Sequence, residues 1–181
     1  MQTTMAQGQA GGTAHAAEAA FRLSSPVLRD GETIGNAHLY NGMDCTGHNV
    51  SPALQWQGAP QGTKSFAVTI YNPDAPTGSG WWHWVVYDIP AGVTALPAGA
   101  GASAQNPLPE GARQANTEFG RPGYGGPCPP RGDKPHRYIF TVHALAVEKL
   151  DVPPDATAAF VGFNIHANRL GSATLTGMYG R

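Results

Sequence analysis

The residues best equipped for chemistry fall in two short stretches, Asn72-Pro73-Asp74-Ala75-Pro76 followed by Trp81-Trp82-His83-Trp84, and His136-Arg137-Tyr138. Two imidazoles, a phenol and an Asx pair supply several hydrogen-bonding groups and few fixed charges. Gathered around one cavity, Asn72, Asp74, His83, His136 and Tyr138 suit a small oxyanion such as the phosphate of a monoester. Imidazole N–H groups and a phenolic O–H can bond its three oxygens, and bonds to an ionised acceptor are the strong ones. The neighbouring tryptophans would hold an apolar or planar remainder. Singly, each signal has a plainer reading. Asx and Pro residues form turns, a histidine among tryptophans is usually a core side chain, and His136 and Arg137 alone would be solvated. The site exists only if the two stretches meet.

Other chemistries fit less well. Gly78-Ser79-Gly80 is too short for a nucleophile elbow and has no strand-to-helix setting. The glycines at Gly120, Gly123, Gly125 and Gly126 lack the Lys-Ser/Thr of a phosphate-binding P-loop. Arg131-Gly132-Asp133 spells an adhesion tripeptide inside a Pro-rich loop, and Asn49-Val50-Ser51 is a glycosylation acceptor only in a eukaryotic secretory route. Asp74, His83 and His136 have no helix-spaced pair or thiolate partner, which disfavours zinc. Neither a metal nor any other cofactor is expected, and no residue is assigned a catalytic role.

The elements that must position these groups are mostly strands. The chain has 181 residues, enough for one domain that buries roughly 70% of its unfolded surface. Only 13% of residues are charged, while there are 24 glycines and 16 prolines, a balance suited to a loop-rich β protein. A net charge of −1 gives no field to recruit nucleic acid, and no apolar run reaches the length of a membrane span, so neither nucleic-acid binding nor stable membrane insertion is expected. Residues 1–20 are small and polar, without the basic start or apolar core of an intact signal peptide. They read as a flexible tail ahead of a single domain over 21–181.

Phe21-Arg22-Leu23 reads as an edge strand, Asn41 to Asn49 as a loop, and Ser51 to Trp56 as a strand. Ser65 to Asn72 and Trp81 to Ile89 read as buried strands. Alternation puts Asn72 with Phe66, Val68 and Ile70, and His83 with Val85 and Tyr87. Residues 97–135 lack periodicity; with Phe119, Tyr124 and Cys128 among them they read as an ordered lid. Tyr138 to Val147 is apolar on both faces and reads as a central strand. Asp155 is the expected N-cap of a helix whose apolar stripe is Phe160, Phe163, Ala167 and Leu170, ending at Gly171. Ser172 to Tyr179 closes the chain as a short strand. The expected architecture is an antiparallel β-sandwich with one late helix and long ordered loops.

Several runs carry a more specific signal: Asn49-Val-Ser-Pro-Ala-Leu, Gly62-Thr-Lys-Ser-Phe-Ala-Val, Asn72-Pro-Asp-Ala-Pro-Thr-Gly-Ser-Gly-Trp-Trp-His-Trp-Val-Val, Tyr124-Gly-Gly-Pro-Cys-Pro-Pro and His136-Arg-Tyr-Ile-Phe-Thr-Val-His-Ala-Leu. In order and content the chain resembles the phosphatidylethanolamine-binding protein family, in particular its bacterial Raf kinase inhibitor-like branch, from about residue 21 onward. The resemblance implies a β-sandwich with an anion pocket at one end. Its ligand set would be Asn72, Asp74, His83, His136 and Tyr138, with the segment from Tyr124 through Pro127 to Pro130 on the rim. The family usually has aspartate where this chain has Asn72, which removes a carboxylate from beside the ligand. Cys45 and Cys128 stand far apart, and their spacing leaves pairing open. Exported bacterial relatives carry cysteines at similar positions, so the resemblance favours a disulfide and a periplasmic or secreted home over a cytoplasmic one.

Two function classes follow. One is a binding protein for a phosphate-like anion or phosphorylated small molecule, without turnover. Eukaryotic relatives of this kind act on kinases or signalling scaffolds. A protein kinase or another protein partner stays open here, as does a homodimer. The alternative is an enzyme using His83 and His136 as acid and base, though no activated nucleophile is in view.

Overall fold

The computed structural model describes residues 20–181, so the tail expected at the start lies, except for its last residue, outside the described residues. Among the described residues the strands are β1 (Arg22–Ser24), β2 (Leu54–Gln57), β3 (Ser65–Asn72), β4 (Trp81–Pro90), β5 (Ala95–Leu96), β6 (Arg113–Gln114), β7 (His136–Leu145) and β8 (Arg169–Tyr179), with one α-helix, α1 (Ala158–Asn168), before the last strand. A three-stranded sheet runs β1-β2-β5 and a five-stranded sheet runs β6-β4-β3-β7-β8. The pairings between these strands are antiparallel. The sandwich read from the sequence is the fold observed.

β3 and β7 lie inside the large sheet, which is why they are apolar on both faces. One face packs Phe66, Val68, Ile70, Trp84, Phe140 and Val142 with Leu23, Leu54, Trp56 and Leu96 of the small sheet. The other packs Ala67, Val85, Tyr87 and Leu145 with Val161 and Ile165 of α1. The helix differs from expectation. Its N-cap is Thr157, whose side chain accepts from the Phe160 amide, and its buried stripe is Ala158, Val161 and Ile165. Phe163 is 74% exposed and Phe160 49%, while Leu170 and Gly171 belong to β8, which is longer than expected. Ile165→Ala should therefore cost about 2–5 kcal/mol in chemical denaturation, and Phe163→Ala less than about 1. Equal losses would contradict this helix orientation.

The loop over 97–135 is anchored, as expected of a lid. β6 pairs with β4 through Val86–Gln114 and Tyr87–Arg113. Arg113 Nε donates to the buried Asp88 carboxylate at 2.9 Å, whose other oxygen accepts from the Leu150 amide at 2.8 Å. Further along, Cys128 is bridged to Cys45, across 83 residues of sequence. Asn49 holds the same junction: its Oδ1 accepts from the Gly126 amide at 2.7 Å and its Nδ2 donates to the Tyr124 carbonyl at 3.3 Å. A β-carbon at position 126 would collide with the His38 carbonyl, so this close approach requires glycine.

The feature that matters most for the site is a bulge. Ile70 pairs with Trp84 and Tyr71 with Trp82, leaving His83 as an extra residue in β4. A bulge re-aims one side chain and inverts the alternation beyond it. Trp84 therefore packs in the core between the sheets, while Trp82 packs on the helix side. His83 leaves the Val85–Tyr87 face expected from strict alternation. Its ring lies edge-on to Tyr138 with centroids 5.0 Å apart.

Candidate functional site

At the end of β3 and β4 where the chain crosses from Asn72 to Trp81, the structure holds a half-open cavity of about 190 Å³. Asn72, His83, His136 and Tyr138 line it, so the two polar stretches do converge. Its remaining walls are largely apolar, with Met43, Trp81, Phe119 and Pro129 among them. The volume is below the ~300 Å³ at the low end for drug-sized ligands, which leaves room for a group of a few heavy atoms and not for a long chain.

His83 is fully enclosed, and its Nδ1 lies 2.6 Å from the Gly125 carbonyl oxygen. A carbonyl only accepts, so Nδ1 carries the proton and Nε2 is the free ring nitrogen. Burial lowers the imidazole to about 4; bonding to the Gly125 and Gly126 backbone opposes this, and nearby His136 adds to the depression. His83 is neutral at pH 7. Tyr138 Oη and Trp81 Nε1 are both buried with no protein partner. Burial also raises the Tyr138 phenol, which keeps its O–H as a donor. Trp81 is held edge-on against Phe119 with centroids 5.3 Å apart.

His136 is placed differently from expectation. Asn72 Oδ1 accepts the Asp74 amide at 2.9 Å, which turns the Asn72 NH₂ toward His136 Nδ1 at 3.0 Å. His136 Nδ1 is thus an acceptor, and Nε2 donates to Asp133 Oδ2 at 2.9 Å. Both ring nitrogens are engaged, so His136 lines the cavity with none to offer a ligand. An aspartate at position 72 would accept a proton bond from Nδ1 instead. We expect Asn72→Asp to convert the His136 ring to one carrying N–H at both nitrogens, read from its ¹⁵N resonances; an unchanged tautomer pattern would contradict the Asn72 contact.

The other expected ligands stand outside the cavity lining. Asp74 is gripped by Arg137, through Nε at 3.0 Å, Nη2 at 2.8 Å and the backbone amide at 2.8 Å. Hydrogen bonding from Arg137 holds its carboxyl down at about 2 despite partial burial. Tyr124 donates its hydroxyl to the His38 carbonyl at 2.6 Å. Pro127 accepts from the Tyr40 amide at 3.0 Å, while its neighbours Cys128, Pro129 and Pro130 do reach the wall. Sequence reasoning gave the tryptophans only an apolar role, and did not single out Trp81 as a hydrogen-bond donor or Phe119 and Met43 as site residues. Trp81 carried a readable signal, since a buried indole needs a partner for its N–H; Met43 carried none.

Fold and site together define a β-sandwich with a small, partly polar pocket built on a bulged strand. The sequence profile described as phosphatidylethanolamine-binding protein matches residues 24–180, and the chain belongs to that family. It is 52% identical over 159 residues to the UPF0098 protein YbhB of Escherichia coli, covering 88% of this chain and 99% of that protein. To the UPF0098 protein YbcL of the same organism it is 50% identical over 167 residues, covering 92% and 91%. The crystal structure of YbcL, described as a member of the mammalian PEBP family, superposes with a TM-score of 0.86 over 91% of this chain and 99% of that one. A putative lipoprotein of Mycobacterium tuberculosis, LppC, is 35% identical, covering 87% of this chain and 71% of that protein. The bacterial branch inferred from the motif runs is thus the one matched.

Proposed function

We propose that residues 21–181 act as one ligand-binding unit that captures the phosphate-type head group of a small phosphorylated molecule and releases it unchanged. The observation that carries this reading is that Tyr138, Trp81 and His83 all line one small cavity, while Tyr138 Oη and Trp81 Nε1 are buried and unpartnered. Leaving buried donors unsatisfied costs about 1–3 kcal/mol each, so a ligand that accepts from them recovers that cost. The family name favours a phospholipid-type head group, and apolar walls beside the donors suit what is attached to it. A binding role fits better than hydrolysis. Cys128 is tied in its disulfide, the Thr77 hydroxyl donates to the Gly80 carbonyl, and His136 has no free nitrogen for acid–base work. A periplasmic or secreted home is favoured by the Cys45–Cys128 disulfide and by a relative named as a lipoprotein. No helix among the described residues is long and apolar enough to cross a membrane.

Titration with O-phosphoethanolamine, followed by tryptophan fluorescence and by ³¹P NMR, tests this. Saturable binding with an unchanged ester is expected. Tyr138→Phe should weaken it by roughly 10- to 100-fold, the size of one charge-assisted bond. Because that hydroxyl has no partner in the free protein, the same variant should melt no lower than wild type. Equal affinity in the variant, or consumption of the ester, would overturn the proposal.

A further inference from the structure

We propose that this pocket binds its anion only together with one proton, shared between a ligand oxygen and Nε2 of His83, and so selects ligands that bring a proton with them. This rests on the anion-binding reading above and narrows its ligand class to phosphate monoesters and inorganic phosphate over fully ionised diesters, sulfates and sulfonates.

The pocket offers an anion no fixed positive charge. Arg137 is engaged by Asp74 and is not among the lining residues, and the two ring nitrogens of His136 are held by Asn72 and Asp133. What remains on the lining residues is two neutral donors, buried and unpartnered, the Tyr138 O–H and the Trp81 N–H, and one ring nitrogen of His83. That nitrogen cannot become a donor in the neutral ring. Moving the proton to Nε2 would leave the Nδ1 lone pair facing the Gly125 carbonyl oxygen at 2.6 Å. A ring flip would break the same bond in a ring wedged edge-on between Tyr138 and Phe119. In the empty pocket Nε2 is therefore a bare lone pair, and a lone pair facing an anionic oxygen is repulsive. One added proton turns the same contact into a charge-assisted hydrogen bond.

The groups facing His83 do not change this. From β7 come Tyr138 and His136, from the lid Phe119 and the backbone of Gly125 and Gly126, and from its own strand Trp81. Asp74 and Asp133 are bonded to Arg137 and His136. Burial keeps the empty-site imidazole neutral down to about pH 4. A phosphate monoester carries an exchangeable proton on its monoanion, with its second ionisation near pH 6. Sulfate has none, and its proton must come from solvent.

Calorimetry of inorganic phosphate and of sulfate, each from pH 5.5 to 8.5 in two buffers of different ionisation heat, tests the proposal. Sulfate should take up about one proton per anion bound, and its affinity should fall roughly tenfold per pH unit. Phosphate should take up little at pH 5.5, where it brings its own proton, and about one at pH 8.5. In His83→Gln the sulfate affinity should lose its pH slope; if that variant does not fold, the wild-type proton count alone decides. Sulfate binding with no proton uptake and a flat pH profile would overturn the inference and leave the binding function standing. Absence of binding by both anions at every pH would overturn the inference and the binding function together.

Discussion

Removing the Cys45–Cys128 bridge, by reduction or by replacing both residues with alanine, is expected to lower the melting temperature by roughly 10 °C. The bridge closes a loop spanning 83 residues of sequence, which restrains the unfolded chain by about 4 kcal/mol. For a protein of this size each kcal/mol moves the midpoint by about 2–4 °C. Non-covalent ties across the same junction will remain. Arg131 pairs with Asp44 at 2.9 Å, and Arg181 donates to the Pro129 carbonyl at 2.7 Å and the Asp44 carbonyl at 2.9 Å. These contacts are exposed or partly so and contribute little each. Because Met43, Cys128 and Pro129 all line the cavity, anion affinity should fall along with stability. Superimposable melting curves with and without reductant would show that the bridge is not a stabilising element.

The second large effect is acid destabilisation, expected well above the pH at which carboxylates titrate. Among the described residues, two buried histidines are held well below the ordinary imidazole value. His83 is depressed to about 4 and His143 to about 3, in both cases chiefly by burial. His143 Nε2 shares a hydrogen bond with Thr69 Oγ1 at 2.9 Å, while its Nδ1 is buried without a partner. Both folded values lie below the unfolded value of about 6.5. The unfolded chain therefore takes up protons that the folded chain refuses. Stability is complete above pH 6.5 and falls by roughly 1.4 kcal/mol per pH unit for each histidine as the pH drops toward the folded values. By pH 4.5 the loss should be on the order of 5 kcal/mol. Asp74, held at about 2, adds its own loss only at still lower pH. Melting temperatures measured between pH 7.5 and 4.5 check this, with His143→Leu expected to halve the slope. A flat profile would mean that these imidazoles are not buried neutral.

The architecture was legible because its determinants are local. β3 is apolar on both faces and flanked by turn residues, and its bounds were read correctly from Ser65 to Asn72. The convergence of the Asn72, His83 and Tyr138 stretches rested on the family motifs. The misplacements have physical causes. Alternation assigns His83 to the Val85 face, but one bulged residue in β4 reverses it. In α1 the bulky phenylalanines suggested the buried side, whereas Ala158, Val161 and Ile165 are the residues that pack on the sheet. Asp74 and Tyr124 look free in one dimension. Their partners, Arg137 and the His38 carbonyl, lie 63 and 86 residues away, and only folding reveals that these groups are engaged. Hydrogen-bond supply is a property of three dimensions, and His136 shows it most clearly.

The central claim is that a small anion docks onto the unpartnered donors of this pocket. The most direct measurement is the indole N–H resonance of Trp81 during a phosphate titration at pH 6, assigned by its disappearance in Trp81→Phe. The account predicts a saturable downfield shift of that one indole signal as it gains an acceptor, lost in Tyr138→Phe at the same phosphate concentration. A Trp81 indole that stays fixed while phosphate perturbs resonances elsewhere would contradict it.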